Sequence, residues 1–209
     1  MTLFDTVVLS AAYFPPVEYF FAIARSGHVL VEQNELYQKQ SYRNRCRIFS
    51  AGGVMQLSIP VIKDEVHARP IRDIRIDYSE PWIRQHVRAM DAAYNSSPFY
   101  LYYKDDFAEI IGRKPEFLFD LDIALTERLL ELAGIKADIS FTETFRADWG
   151  EGDFRTRIQP KYHGESLLDE YGLNREYYQV FSSRFGFQPN LSILDLLCHE
   201  GPEASSFLL

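Results

Sequence analysis

Short continuous apolar runs open the chain, and helically spaced ones follow. Thr6 to Ala11 is apolar, β-branched and of strand length, and Pro15-Pro16 punctuates it. Val17 to Ser26 carries a helical pattern with Gly27 as its stop, and His28 to Gln33 returns to a Val-Leu-Val strand core. This order predicts a βαβ unit with parallel strands and a right-handed crossover. In open parallel sheets ligands collect outside the carboxyl ends of the strands. Those ends here are Ala12-Tyr13 and Glu32-Gln33-Asn34.

Further along, Cys46 to Ser50 and Val54 to Val61 flank Ala51-Gly52-Gly53, the spacing of a β-hairpin. Ile71 to Ile76 alternates apolar and charged residues and predicts a half-buried strand. Ser79-Glu80-Pro81 opens a helix, Ser79 as cap and Pro81 in the first turn, with Ile83, Val87, Met90 and Tyr94 as its apolar stripe. Helices are predicted over Lys104 to Gly112 and over Phe117 to Ala133, the latter stopped by Gly134. Lys136 to Phe141 reads as a last strand. Thr144 to Arg175 is polar and loop-rich. Tyr177 to Phe181 is compact and aromatic, and Ser192 to His199 predicts a short helix ended by Gly201. No repeat or flexible linker divides the chain. The fold class is α/β: one domain over residues 1–209, with a small, mostly parallel sheet begun by the βαβ unit, a β-hairpin, flanking helices and an irregular C-terminal region.

Composition agrees with a folded chain. At 209 residues, with 46% hydrophobic and 15% aromatic side chains, it has enough apolar area to fold without disulfide or metal. Cys46 and Cys198 are far apart, outside zinc or redox spacing, and are expected as thiols. The first residues lack a basic n-region and no run approaches membrane-span length, so the expectation is a cytoplasmic protein.

Charge narrows the function. A net charge of −8 argues against nucleic acid as a partner. Between Leu36 and Lys63, however, there is no Asp or Glu, while Lys39, Arg43, Arg45, Arg47 and Lys63 all fall inside. This basic island, directly after the second strand, suggests a small anionic ligand. Arginine offers a planar fork for phosphate or carboxylate, so the candidate binding residues are Tyr13, Asn34, Lys39, Tyr42, Arg43, Asn44, Arg45 and Arg47. The bland alternative is a solvated β-edge on which Arg43, Arg45 and Arg47 share one face. Glu32 and His86 are the candidate acid–base residues. Against them stand a salt bridge from Glu32 or Glu35 to Lys39 or Arg43, and a packed His86 beside Trp82. The scattered His28, His67, His163 and His199 suggest no metal site. The acidic cluster from Asp148 to Asp153 reads as a solvated loop, with magnesium ligation as its alternative if a diphosphate binds. Asp195 falls in an S-x-x-D capping pattern with Ser192. The residues name no cofactor.

Several stretches resemble the WbqC-like family. They are Ala12-Tyr13-Phe14-Pro15-Pro16 with Tyr19-Phe20, then Tyr42-Arg43-Asn44-Arg45-Cys46-Arg47-Ile48, then Leu57-Ser58-Ile59-Pro60-Val61. Trp82, His86, Tyr94, Pro98 and Phe99 continue the match in order. Tyr178-Gln179-Val180-Phe181 and Pro189-Asn190-Leu191-Ser192-Ile193-Leu194-Asp195 extend it, in the form of Bacteroidetes-type members. The resemblance implies a role in glycan or O-antigen biosynthesis, with glycine transfer to a sugar as the suggested activity. Ala11-Ala12, Glu18 and Glu32-Gln33 stand where O-antigen members carry Gln-Pro, glycine and an Asp-Asp pair. The combined expectation is an aminoacyl- or acyl-type transferase acting on a sugar nucleotide or other small anionic metabolite. A non-catalytic binding or scaffold protein of envelope-glycan assembly is the first alternative. A nucleotidylyl-transferase-like enzyme without an H-x-G-H signature is the second.

Overall fold

A computed structural model describes residues 2–63 and 68–209; His67 lies outside the described residues. The predicted βαβ unit is present as β1 (Phe4–Ser10), α1 (Val17–Ala24) and β2 (Ser26–Glu32). The two strands are parallel, in register from Phe4 against Ser26 to Ser10 against Glu32. The helix ends two residues before the sequence suggests. Gly27 is not its stop but lies in β2, where a Cβ would sit 3.0 Å from the Asp5 carbonyl oxygen.

After β2 the chain forms an antiparallel hairpin, β3 (Arg45–Ser50) and β4 (Gly53–Ser58), and then α2 (Trp82–Tyr94), α3 (Tyr100–Gly112) and α4 (Leu118–Leu132). It returns as β5 (Ile139–Phe141), parallel to β2 on its other side, so the sheet order is β1-β2-β5. The tail carries α5 (Leu167–Glu170), α6 (Ser182–Phe185), α7 (Ile193–Glu200) and a 3-10 turn over Gly201–Phe207. The result is a mixed α/β fold with a small parallel sheet, a separate hairpin and seven α-helices among the described residues.

Three elements differ from the sequence reading, each for a local reason. Ile71 to Ile76 is not a regular strand. Pro70 lacks an N–H, its carbonyl accepts from Asp73 N at 3.0 Å, and the Ile71–Asp73 segment closes into a 3-10 turn. Only single bridges at Arg75 and Ile76 keep strand character. Helix α2 begins at Trp82 with Pro81 as its cap residue, so Ser79 lies two residues before the cap and makes no cap bond; its N–H donates to Asp77 Oδ1 at 2.9 Å. The helix turns Trp82, His86, Met90, Ala93 and Tyr94 inward and leaves Ile83 and Val87 half-buried. Helix α3 starts at Tyr100, earlier than predicted, because the aromatic run before Lys104 has no strand partner and follows the helical spacing of buried Tyr100, Phe107 and Ile111.

The free edge of β1 is met by the segment around Asp153. Val8 N donates to the Gly152 carbonyl at 2.8 Å, and Phe154 N donates to the Val8 carbonyl at 3.0 Å. Gly152 is required there: a Cβ would stand 2.1 Å from the Thr6 carbonyl oxygen. On the opposite flank the tail stitches the first turn to the hairpin. Val17 N donates to the Leu191 carbonyl, Ile193 N to the Pro15 carbonyl and Ser192 N to the Arg47 carbonyl, each at 2.9 Å. Phe14, at φ +40, makes the sharp reversal between these ties and is fully buried against Phe107. Left-handed backbone at a bulky residue costs about 1–2 kcal/mol, which the surrounding packing offsets.

Candidate functional site

The carboxyl ends of β1, β2 and β5 come together under a cleft of about 500 Å³. Ser10, Glu32 and Thr142 mark those ends. Glu32 Oε1 accepts from Thr142 Oγ1 at 2.6 Å and from Asn34 N at 2.8 Å. Its other oxygen is buried without a hydrogen bond and lies 3.5 Å from Arg155 Nη1. The side chain is 0% exposed.

Two guanidinium groups line the cleft, and each is clamped along one edge. Arg43 Nε and Nη2 donate to Glu35 Oε1 and Oε2 at 3.0 and 2.6 Å, and Nη2 also donates to Ser10 Oγ at 3.0 Å. Arg155 Nε and Nη2 donate to Asp153 Oδ1 and Oδ2 at 2.8 and 2.5 Å, and Nη2 also reaches the carbonyls of Arg146 and Ala147. Burial alone would raise the Asp153 pKa, but the Arg155 side-chain and backbone hydrogen bonds outweigh it and hold the carboxyl below its usual range. Among the described residues, Nη1 of both arginines makes no hydrogen bond. That of Arg155 keeps the 3.5 Å contact with Glu32.

The remaining lining supplies orientation. Asn34 donates from Nδ2 to the Thr142 carbonyl at 2.9 Å and accepts from Arg72 Nη1 at 2.6 Å. Gln38, Thr156 and Gln159 add uncharged polar groups, and Leu36 and Phe145, 55% and 54% exposed, form an apolar rim. Glu35 in the lining, and Glu32 and Asp153 behind it, lie against the two guanidiniums, so the cleft has no positive excess. What this arrangement offers an anionic group is directed N–H donors rather than net charge, with carboxylates beside them suited to an ammonium or hydroxyl.

The candidate residues read from sequence divide into three groups. Asn34 and Arg43 line the cleft, and Glu32 lies fully buried behind its wall, 3.5 Å from Arg155. Tyr13 and His86 form a separate buried pair, the Tyr13 hydroxyl 2.9 Å from His86 Nδ1. Burial lowers the His86 pKa to about 4 despite the Ser58 carbonyl, so its ring is neutral near pH 7. Neither residue lines the cleft. The third group belongs to the hairpin and its approach. Arg45 and Arg47 share one face of β3, Arg47 Nη2 donates to the Asn190 carbonyl at 3.1 Å, and its guanidinium sits 5.9 Å from the ring centre of the buried Tyr42. Asn44 is buried, with Nδ2 donating to the Ile59 carbonyl at 2.7 Å. Lys39 is exposed.

Sequence reasoning missed Arg155 and gave Asp153 to a solvated loop. The signal was Asp153-Phe154-Arg155, two charges flanking a buried aromatic, which is the pattern of a short extended segment. Ser192 does cap α7, its Oγ accepting from Leu194 N at 3.3 Å, but Asp195 does not complete the capping box. The Ser192 N–H goes to Arg47, and Asp195 Oδ2 accepts from Tyr177 Oη at 2.8 Å and Gln179 Nε2 at 2.7 Å inside the tail. Asp122 of α4 carried no sequence signal. It is fully buried with neither oxygen hydrogen-bonded, and burial pushes its pKa far up, against the nearby Arg43 charge.

Among the described residues, no group of three or more His, Cys, Asp or Glu is arranged to hold a metal ion, and no helix is long and apolar enough to cross a membrane. No solved structure matches the chain. The uncharacterized protein Rv1507c of Mycobacterium tuberculosis (strain ATCC 25618 / H37Rv) is 25% identical to it over 226 aligned positions, which cover 96% of each chain. The model of the WbqC-like protein family matches residues 11–172, the stretch that holds every cleft residue described above. On that match, the chain belongs to the WbqC-like protein family.

Proposed function

We propose that the cleft seats an amino-sugar metabolite bearing one anionic group, such as an amino-sugar nucleotide, and that the protein is an acyl- or aminoacyl-type transferase of bacterial glycan biosynthesis. The observation that carries this reading is the pair Arg43 and Arg155. Each is clamped by a carboxylate along one edge and keeps Nη1 free of hydrogen bonds in the same cleft, that of Arg155 lying 3.5 Å from Glu32. Holding the donors in place before binding lowers the ordering cost on association. The anionic group takes the two Nη1 donors, Asn34 and Gln38 meet hydroxyls, and Phe145 supports the face of a ring. In the transfer the acceptor amine bonds to the acyl carbon, the activating group departs with its electron pair, and the amine loses a proton. Glu32, with one oxygen free of hydrogen bonds and 3.5 Å from Arg155 Nη1, receives that proton once the anionic group has taken the Nη1 contact with Arg155, which stays clamped by Asp153.

The supporting experiment measures product from activated glycine and an amino-sugar nucleotide, alongside calorimetric binding of the nucleotide alone. Binding and turnover are expected for the unaltered protein. Binding lowered by an order of magnitude is expected for Arg155→Gln, and binding without turnover for Glu32→Gln. Failure of the nucleotide to bind refutes the reading. Binding with no turnover under any donor favours a non-catalytic binding protein. That second reading draws on the complete burial of Glu32 and the removal of His86 from the cleft.

A further inference from the structure

The half-buried side of α2 lines a second concavity. Ile83 and Val87, assigned by the sequence to the core, form with Tyr78 the floor of a groove of about 690 Å³. The floor is fixed: Tyr78 stacks on Trp82 with ring centres 5.8 Å apart, and its hydroxyl donates to the Pro115 carbonyl at 2.7 Å. The rim is basic. Arg84 and Arg88 are exposed one turn apart on α2, and Lys114 faces them from beyond α3, its Nζ 5.9 Å from the Tyr78 ring centre. Among the described residues no carboxylate lies within ion-pair distance of these three cations, and Glu80 is the one acidic residue in the groove lining. On a chain of net charge −8 this is a concentrated exception.

We propose that this groove docks an acidic segment of a partner protein, which seats a large apolar side chain between Tyr78, Ile83 and Val87 and pairs its carboxylates with Arg84, Arg88 and Lys114. The proposal is independent of the cleft reading. The concave apolar floor suits a side chain better than a bilayer surface. The net-negative remainder of the molecule repels negative charge that comes within the Debye length of about 8 Å, so a short anionic segment confined to the basic rim is favoured over a nucleic acid or an anionic membrane, which would extend past it. Rim charges of this kind act on association rate and salt sensitivity.

A photo-reactive residue in place of Ser79, which lines the groove, reports the occupant. The full chain is irradiated in its own cells and the cross-linked peptide sequenced. The expected product is a peptide with net negative charge and at least one large apolar residue, lost from the Arg84→Glu/Arg88→Glu variant. The synthetic form of that peptide should then bind the unaltered chain roughly tenfold or more tightly than the variant, and weaken as salt rises. Both substituted residues are exposed, and an unchanged melting temperature confirms that the variant folds. Cross-links to lipid or RNA, co-sedimentation with phosphatidylglycerol vesicles, cross-links insensitive to charge reversal, or no cross-link would each overturn the proposal.

Discussion

Removing the Glu35 charge tests the clamp most directly. Glu35 and Arg43 are 7% and 4% exposed at the side chain and share two contacts, at 2.6 and 3.0 Å. Glu35→Gln keeps one acceptor but leaves the guanidinium without its counter-ion. Breaking a buried pair in this way costs about 3–5 kcal/mol, with the lower end favoured because Ser10 Oγ still accepts from Nη2. Against a total stability of roughly 5–15 kcal/mol, that is a large share. With a urea slope of about 2–3 kcal/mol per molar, the unfolding midpoint should fall by ~1–2 M. The matched control is Glu109→Gln, whose Arg113 partner is also at 2.6 Å but with both side chains about two-thirds exposed, 67% and 65%; it should cost under about 1 kcal/mol. Replacing both clamp residues, Glu35→Leu with Arg43→Met, should recover most of the loss, because neither half of this pair is then left as an uncompensated buried charge. If Glu35→Gln costs no more than Glu109→Gln, or the double replacement is as damaging as the single one, the description of a desolvated clamp fails.

Other parts of the molecule give separable readouts. Gly152→Ala places a Cβ 2.1 Å from the Thr6 carbonyl; overpacking of this kind costs about 1–3 kcal/mol, so thermal unfolding should move down, and ligand affinity should drop with it as Arg155 is displaced. His86, its pKa depressed by burial to about 4, binds fewer protons folded than unfolded between that value and its ordinary 6.5. Stability should therefore fall with decreasing pH across that window, by about 3 kcal/mol in total, and urea unfolding of His86→Gln at pH 7 and pH 4 should show this part of the slope removed. Asp122 works in the opposite sense: its pKa is raised in the folded state, so the folded form holds an extra proton above pH 3.8 and its contribution declines as pH rises toward the folded value. Asp122→Asn should be at least as stable as the parent at pH 8 in thermal melts, and a variant clearly less stable there would contradict a protonated, unpaired carboxyl.

The βαβ unit was legible because parallel strands buried on both faces read as short continuous apolar runs, and Val7-Val8-Leu9 and Val29-Leu30-Val31 do so without competition. Glycine stops at Gly134 and Gly201 were legible because both residues adopt positive φ, +67 and +55, where other residues are strained. The Ile71 to Ile76 segment misled because alternation over six residues is also met by a 3-10 turn followed by single bridges. Part of the cleft was legible: Asn34 and Arg43 of its lining follow closely on Glu32, the end of β2. Arg155 was not, because it reaches Glu32 only through the extra pairing of Gly152–Phe154 on the free edge of β1. That contact is made by backbone hydrogen bonds and leaves almost no trace in side-chain pattern.

The basic island shows why a charge anomaly is a poor guide to how many of its residues touch a ligand. Its backbone ties the first turn in place, Tyr13 N donating to the Tyr42 carbonyl at 2.8 Å. Asn44 locks the start of the hairpin to Ile59 through both its side chain and its carbonyl. Arg47 binds the hairpin to the Asn190 segment, which in turn holds the N-terminus of α1 by accepting from Glu18 N at 3.0 Å. Within the cleft, Arg43 is the island's one cation, and Glu35 already neutralises it. The segment therefore acts first as a seam between the βαβ unit, the hairpin and the tail. Loss of ligand binding on substituting Asn44 or Arg47 would report damage to that seam, whereas loss on substituting Arg155, which takes no part in it, would report the cleft itself.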